Sequence, residues 1–382
     1  MNNIFIISFI LINSLHSVFS FVFPHKINKF HEMYNINKKL NTNEDNKYNL
    51  NWYVIGEKNY FKNNKLYKIT IWNNDYLVYR NNTNYYAMDN YCSHRGASLV
   101  QGKIVNGHIM CPYHGYEFNN NGILCNVPGL NFINSPVQNQ NTYQIVEKNG
   151  WVYLNTINNL FYQPDKINIF EEPEAHNTNF SNILINSTFN TYARIVSENS
   201  LDVMHIGFVH TFGNSHNPSP LSEKPPYALN DYGYHYKTEY EYEAGDNSLA
   251  KKIFGVNKLY IENEFILPHT TIARVIFGNM TSTIITNALP INNTHSHLFV
   301  KTYRNFWNNN NNALDNFINY FGNIASSHMM MNTVLEDKEI IENIKLEYME
   351  GKFNMKYDKL QNVYKTLYKK LIKNITFVKD DS

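Results

Sequence analysis

The pattern of apolar and polar positions changes period part-way along the chain. From Trp52 onward, short runs rich in β-branched and aromatic residues alternate with polar ones, as half-buried strands do. Tyr67–Trp72 and Asp75–Arg80 form one such pair, with Asn73-Asn74 between them as the expected turn. Tyr85–Met88 follows. The series closes on a hairpin, Tyr143–Glu147 with Trp151–Leu154, across Asn149-Gly150. Gly122 and Pro128-Gly129 punctuate the stretch between. This predicts a small all-β domain over residues 49–160.

Beyond it the elements are longer. Lys258–Phe265, Thr270–Phe277, Thr281–Ala288 and Ser296–Phe306 read as strands with turns at Gly278-Asn279 and Asn292-Asn293. A helical period governs 194–210 and 313–348. A third stretch, 357–373, places Leu360, Val363, Leu367 and Leu371 at helical spacing between lysines, and is expected to dock on the body rather than on a membrane. An antiparallel sheet covered by the first two helices makes residues 161–375 an α+β domain with a cavity between the layers. Phe208, Phe212 and Phe277 are candidates for its wall, although core packing is the plainer reading of each. Residues 376–382 form a tail.

The N-terminus follows neither period. Residues 4–12 are an apolar run too short to span a bilayer, and Val18 and Ser20 are placed for signal-peptidase cleavage before Phe21. Residues 21–43 then hold several lysines and a single acid, Glu32. A signal peptide (1–20) followed by such a segment (21–48) resembles the bipartite targeting sequence of algae with secondary plastids, which implies a plastid destination. Plain secretion is the alternative, and membrane association stays open. Lys+Arg 33 against Asp+Glu 32 leaves a net charge of +1, without the concentrated basic surface of a nucleic-acid binder.

Three cysteines are too few for a disulfide framework, and two of them stand in short Cys/His pairs: Cys92-Ser93-His94-Arg95-Gly96-Ala97 and Cys111-Pro112-Tyr113-His114-Gly115. Two Cys and two His could hold tetrahedral zinc, or a Rieske [2Fe–2S] cluster in which two Cys bind one iron and two His the other. The C-x-H spacing argues against a zinc finger. With their flanking residues, the two pairs resemble the Rieske iron–sulfur domain, which implies that Cys92, His94, Cys111 and His114 hold the cluster. Ala97 and Tyr113 occupy the places of the cysteines that form a disulfide in electron-transfer Rieske proteins of cytochrome bc complexes. The cluster thus resembles the disulfide-free oxygenase type. Tyr116 stands where oxygenase loops usually carry Trp, and Cys125 is left as a small buried apolar residue.

A second motif lies at Asn199-x-x-Asp202-x-x-His205-x-x-x-x-His210. On a helix Asn199, Asp202 and His205 would share one face, with distortion expected near Gly207. Two imidazoles plus a carboxylate make the ligand set of oxygen-activating ferrous sites. Following a Rieske signature, the motif resembles that of Rieske non-haem iron oxygenase α subunits. The resemblance implies His205 and His210 as ligands of a mononuclear Fe(II), Asp202 as a bridge to a cluster His of a neighbouring subunit, and Asn199 near the iron. Leu335–Glu342 resembles the family's late-helix acidic segment, giving Asp337 as third ligand and Glu336 as runner-up; a solvated acidic face is the plain alternative.

The resemblance further implies O₂ as co-substrate, a separate ferredoxin or reductase as electron donor, a homotrimer, and a small organic substrate, aromatic or chlorophyll-derived. The chain also resembles the plastid pheophorbide-oxygenase group, whose chemistry is a candidate, but departs from it in having no Pro after Cys92, no bulky residue after Arg95, and neither a C-terminal C-x-x-C nor C-terminal membrane helices. An electron-transfer Rieske protein with a non-catalytic second domain is the alternative.

Overall fold

The computed structural model describes residues 50–372, apart from 131–138, 160–168, 232, 309–312 and 352–355. The expected signal and transit-like segments and the 376–382 tail lie outside the described residues. Among those described, no helix is long and apolar enough to cross a membrane.

The first part is all β. Strands β1 (Trp52–Glu57), β2 (Leu66–Ile71), β3 (Asn74–Asn81) and β4 (Asn84–Asp89) come before a small sheet of β5 (Lys103–Val105), β6 (His108–Met110), β7 (Glu117–Phe118) and β8 (Leu124–Asn126). Strands β9 (Thr142–Lys148) and β10 (Trp151–Asn158) then return to give a six-stranded antiparallel sheet ordered β1-β10-β9-β4-β3-β2. The first hairpin turns one residue earlier than the sequence suggests. Ile71 pairs with Asn74, so Trp72 and Asn73 occupy the turn with φ of 51° and 59°. A bulky residue pays roughly 1–2 kcal/mol for that left-handed conformation. Tertiary contacts offset it: Trp72 and Asn73 donate their backbone N–H groups to the carbonyls of Pro290 and Ile291, and the indole donates to Tyr53 Oη.

The second part is an eight-stranded antiparallel sheet with one partner off its edge. Its strands are β11 (Ser181–Phe189), β12 (Ser222–Glu223), β13 (Tyr227–Ala228), β14 (His235–Glu243), β15 (Lys258–Ile266), β16 (Thr270–Phe277), β17 (Met280–Pro290) and β18 (Ser296–Arg304). The order is β11-β18-β17-β16-β15-β14-β12, and β13 also pairs with β14. Alternation along β18 sends Phe299, Lys301 and Tyr303 one way and Leu298, Val300, Thr302 and Arg304 the other. Phe299 and Leu289 join the core of the first sheet with Trp52, Val54 and Trp151. Lys301 links the two halves by donating to the Asn149 carbonyl and by pairing with buried Glu172 at 2.7 Å.

Two helices cover the opposite face: α1 (Ala193–Leu201) and α4 (Ala313–Ile341), which bury Ala193, Ile195, Val196, Val334 and Ile341 against Ile183, Leu298 and Val300. The expected helix over 194–210 is broken at Asp202, whose backbone is extended (φ −77°, ψ 121°). Asp202 Oδ1 accepts from the backbone N–H of Met204 (2.8 Å) and His205 (3.3 Å), a local turn that competes with helix continuation. A single helical turn, α2 (Ile206–Val209), follows. Short α3 (Leu249–Lys252) precedes β15, and α5 (Lys359–Leu371) ends the described chain.

Three further expectations are corrected. On α5 Leu360 is buried as expected, but the stripe continues through Tyr364, Tyr368 and the C-cap Ile372, while Val363, Leu367 and Leu371 are only half-buried. The tyrosine hydroxyls find partners there, Tyr364 donating to the Pro268 carbonyl at 2.8 Å and Tyr368 meeting His269 Nε2 at 3.2 Å. Cys125 is exposed, because β8 turns Leu124 inward instead. Phe208 is 70 % exposed and joins neither core nor cavity, whereas Phe212 and Phe277 line the cavity.

Candidate metal centres

The first Cys/His loop leads from β4 into the small sheet, the second joins β6 to β7, and the two have matching backbones. In the first, the Cys92 N–H donates to the Ala97 carbonyl and Gly96 N–H returns to Cys92 O; in the second, Cys111 N–H donates to Tyr116 O and Gly115 N–H to Cys111 O. Gly96 and Gly115 sit at φ 72° and 71°, a conformation that glycine adopts without strain. Leu77, Met88, Leu99, Ile109 and Phe118 pack beneath and bury both thiols. His94 stacks on Tyr116 with ring centres 4.6 Å apart, and the His94 and His114 rings lie 4.7 Å apart. The aromatic at 116 thus supports a loop imidazole directly.

These donors fit a metal cluster. All three cysteines are free thiols. Burial pushes the Cys92 thiol up to about 11, with Cys111 adding to the shift, so a compensating cation is what would favour the thiolate. His94 Nδ1 is buried without a hydrogen-bond partner.

The second centre is built where α2 faces α4. His205 Nε2 and His210 Nε2 lie 3.2 Å apart, and Asp337 Oδ1 is 3.4 Å and 3.5 Å from them. The centre of such a triangle is roughly 1.9 Å from each atom, close to a metal–nitrogen or metal–oxygen bond of about 2.0–2.2 Å. Both tautomers are fixed from outside. His205 Nδ1 is 2.7 Å from the backbone carbonyl of Asp202, which can only accept, so Nδ1 carries the proton. His210 Nδ1 donates to Glu336 Oε2 at 2.9 Å. Each Nε2 therefore presents a lone pair to the other and to the carboxylate. Asp337 Oδ1 is itself buried without a hydrogen-bond partner. Three electron-pair donors converging on one point are stabilised by a cation, and two His with one carboxylate suit ferrous iron with positions left open.

Burial lowers the His205 pKa, but Asp337 and then Asp202 outweigh it and leave the group raised. At His210 burial dominates and the net shift is downward. Glu336 does not converge with the three; it stands behind His210 and also accepts from the Thr211 N–H. Nor does the Asp202 carboxylate orient His205, since its carbonyl makes that contact. Asp202 and Asn199 line a separate cleft of about 220 Å³, with Glu198, Glu350 and Gln361 on its polar side and Ile195, Ile341 and Ile344 on its apolar side. The support from Asp202's carbonyl and from Glu336 was not legible in the sequence, although an acid next to the ligand candidate was a signal for the latter.

Beside the triad lies a cavity of about 320 Å³ between the sheet and α4. His205, His210 and Asp337 form one end, and its walls are mostly apolar, among them Phe212, Phe277, Val300, Met330 and Val334.

Paired Cys/His loops ahead of a helix-covered sheet carrying a His/His/carboxylate triad place two candidate metal centres in one chain. Residues 51–137 match the family model of the Rieske [2Fe-2S] domain. Chlorophyllide a oxygenase from the chloroplast of Chlamydomonas reinhardtii is 30% identical over 120 residues, 31% of this chain and 18% of that protein. The oxygenase component of dicamba O-demethylase from Stenotrophomonas maltophilia is 36% identical over 63 residues, 16% of this chain and 19% of that one. The crystal structure of dicamba monooxygenase bound to dicamba superposes with a TM-score of 0.71 at 19% identity, covering 85% of this chain and 98% of that one, so the fold is shared. The matched segments span about a fifth of these two curated relatives. The chain carries a Rieske domain, and its homologues are Rieske non-haem iron oxygenases.

Proposed function

We propose that the chain is a Rieske-type oxygenase that uses O₂ for monooxygenation or oxidative demethylation of an organic substrate, aromatic or chlorophyll-derived. Cys92, His94, Cys111 and His114 would hold the [2Fe–2S] cluster, and His205, His210 and Asp337 the mononuclear Fe(II). Bound there, the cluster supplies single electrons and the ferrous ion the activation of O₂. The observation that carries the reading is the convergence of two tautomer-locked imidazoles and the Asp337 carboxylate on one point at the end of an apolar cavity.

The chain's own residues set the conditions. The Asp202 carbonyl and Glu336 hold the two imidazole protons away from the metal side. The apolar walls orient a substrate and exclude water from its reacting end. Asp202 and Asn199, on the outward polar cleft, are available to a neighbouring subunit, which supports the bridging role expected of Asp202 in a homotrimer. Electrons would come from a separate ferredoxin or reductase. The same reading divides the chain into a signal peptide (1–20), a transit-like segment (21–48), the Rieske domain (49–160), the catalytic domain (161–375) and a tail (376–382), with a plastid location. Chloroplast chlorophyllide a oxygenases among the relatives support that location and a chlorophyll-derived substrate.

The test is iron and acid-labile sulfide content, with electron paramagnetic resonance, on the anaerobically purified full chain and its His205→Ala/His210→Ala variant. Two cluster irons in both proteins, plus a third iron lost only in the variant, is the expected result. A cluster without further iron in the wild type would refute the oxygenase and leave an electron carrier.

A further inference from the structure

Most hydroxyls on the wall of the cavity beside the triad are already engaged. Ser200 donates to the Val196 carbonyl at 3.2 Å and Thr333 to the Met329 carbonyl at 3.0 Å. Thr271 and Thr286 bond one another at 2.6 Å, and Ser248 accepts from the Lys251 N–H. The Thr302 and Tyr242 oxygens are buried beneath the wall, out of a ligand's reach. Two hydroxyls remain, on Ser282 of β17 and Ser326 of α4. Both residues are half-buried and line the cavity, and neither has a hydrogen-bond partner among the described residues. A hydroxyl left open on an otherwise apolar wall is free to recognise a ligand.

Both serines stand at the end away from the triad. Helix α4 faces the cavity with Ser326, Met330, Val334 and Asp337, so at 1.5 Å per residue Ser326 lies about 16 Å from Asp337 along the helix. The sheet gives a second ruler. Ser282 is the strand partner of Arg304, and Thr286, about 13 Å farther along β17, is the partner of Val300, which shares a core with Val334. Arg304 brings the two serines to one region, since its Nη2 donates to Asn323 Oδ1 at 2.8 Å, one turn before Ser326. Spread over that length, a volume of about 320 Å³ leaves a mean cross-section of roughly 20 Å², which admits a flat ring system edge-on. Among the described lining residues the charged side chains are Asp337, in the triad, and Arg304, which is 2 % exposed. A charged group entering between the two ends would lose its hydration and gain no counter-charge.

We propose that Ser282 and Ser326 are specificity-determining residues, and that the substrate is an elongated, flat, uncharged molecule whose end remote from the reacting carbon bears a hydrogen-bond-accepting oxygen. Both hydroxyls donate to that oxygen, whose two lone pairs take one bond each. The pairing also decides which end of the molecule points at the triad, because the walls between are apolar and carry no other open polar group. A disc-shaped macrocycle is wider than this chamber, so of the two substrate kinds named above the aromatic one fits. The inference rests on reading this cavity as the substrate chamber of an oxygenase.

The test is anaerobic calorimetric binding of three probes to the full-length, iron-loaded protein: 4-acetylbiphenyl, its hydrocarbon isostere 4-isopropenylbiphenyl, and biphenyl-4-carboxylate. The wild type is expected to bind the ketone about five- to tenfold more tightly than the hydrocarbon, and the carboxylate more weakly than either. Ser282→Ala and Ser326→Ala should each weaken the ketone about threefold and leave the hydrocarbon unchanged, and the double variant should bind the two alike. Each substitution removes only a hydroxyl, and the unchanged hydrocarbon affinity reports that the chamber is intact. Equal affinity for ketone and hydrocarbon in the wild type, binding of no probe, tightest binding of the carboxylate, or a ketone preference that survives in the double variant overturns the inference. Iron content on the same samples separates the two readings: a third iron with no ketone preference overturns this inference alone, and a preference without that iron overturns the oxygenase alone.

Discussion

Adjacent acids on α4 are given different work, and the difference is measurable as metal affinity. Asp337 Oδ1 faces both imidazole Nε2 atoms, whereas Glu336 holds the back of His210 through Nδ1 at 2.9 Å. Glu336→Gln leaves an amide oxygen able to accept from Nδ1, so the tautomer survives and only the charge is lost. A charge-assisted hydrogen bond contributes roughly 1.5–3 kcal/mol against 0.5–1.5 for a neutral one, and the Glu336 side chain is 24% exposed, which screens the difference. About 1 kcal/mol of metal affinity, or roughly fivefold, is expected. Glu336→Ala removes the orienting partner and should weaken binding about 10- to 100-fold. Asp337→Ala removes one donor of three and should leave no stoichiometric mononuclear iron. The assay is anaerobic calorimetric titration of ferrous iron into protein whose cluster is intact, with the cluster resonance as the control for folding. If Glu336→Ala strips the iron while Asp337→Ala keeps it, the assignment of the two acids is reversed and the geometric argument fails.

Two other outcomes follow from buried groups. His269 lies among Tyr53, Trp72, Tyr364 and Tyr368, and burial pushes its pKa down to about 3. The unfolded chain protonates this imidazole near 6.5 and the folded one does not until about 3, so the stability is complete above 6.5 and is lost as pH falls through that window, by about 1.4 kcal/mol per unit. Urea unfolding at pH 6.5 and 5 should show a loss about 2 kcal/mol smaller in His269→Gln than in the wild type; equal losses would remove His269 as the cause. Asp202→Asn keeps an Oδ1 that can accept from Met204 and a carbonyl that accepts from His205, so both metal centres should load normally while turnover coupled to the cluster falls. Loss of the mononuclear iron in that variant would contradict the backbone role given to Asp202.

Strong local patterns carried most of the fold into view. Strands β15 to β18 are rich in β-branched and aromatic residues and fell close to their expected limits, with turns at Gly278-Asn279 after β16 and around Asn292-Asn293 after β17. Strand β14, His-Tyr-Lys-Thr-Glu-Tyr-Glu-Tyr-Glu, is acidic on alternate positions, and its charges are matched only in three dimensions, as by Lys224 on Glu239 and His235 on Glu264. Tyr236, Thr238, Tyr240 and Tyr242 nevertheless alternate with polar residues at the period of a strand, so the element was legible although it was not among those expected. The turn at Trp72 was hidden because its stabilising acceptors, Pro290 and Ile291, are more than two hundred residues away in the chain. The candidate ligands were legible because their residue types and spacing are rare. Their outer supports were not, since a backbone carbonyl leaves no mark in a sequence and Glu336 is distinguished from Asp337 only by where the helix points it.

The end of α2 at His210, where the backbone becomes extended (φ −92°, ψ 134°), is what lets the motif work. On a continuous helix, residues five apart point about 140° away from each other, so His205 and His210 would lie on different faces and could not both meet Asp337. The Asx turn ends α1 ahead of His205, α2 stops after a single turn, and His210, outside the helix, meets His205 with the two Nε2 atoms 3.2 Å apart. The same residue supplies the carbonyl that fixes the His205 tautomer. Asp202 thus positions His205 through its turn and through its backbone carbonyl, while His210 is held by Glu336. Its carboxylate, committed at Oδ1 to the Met204 and His205 amides, still reaches the outward polar cleft. A residue so placed lies in a cleft on one side and holds the imidazole of a candidate metal ligand on the other.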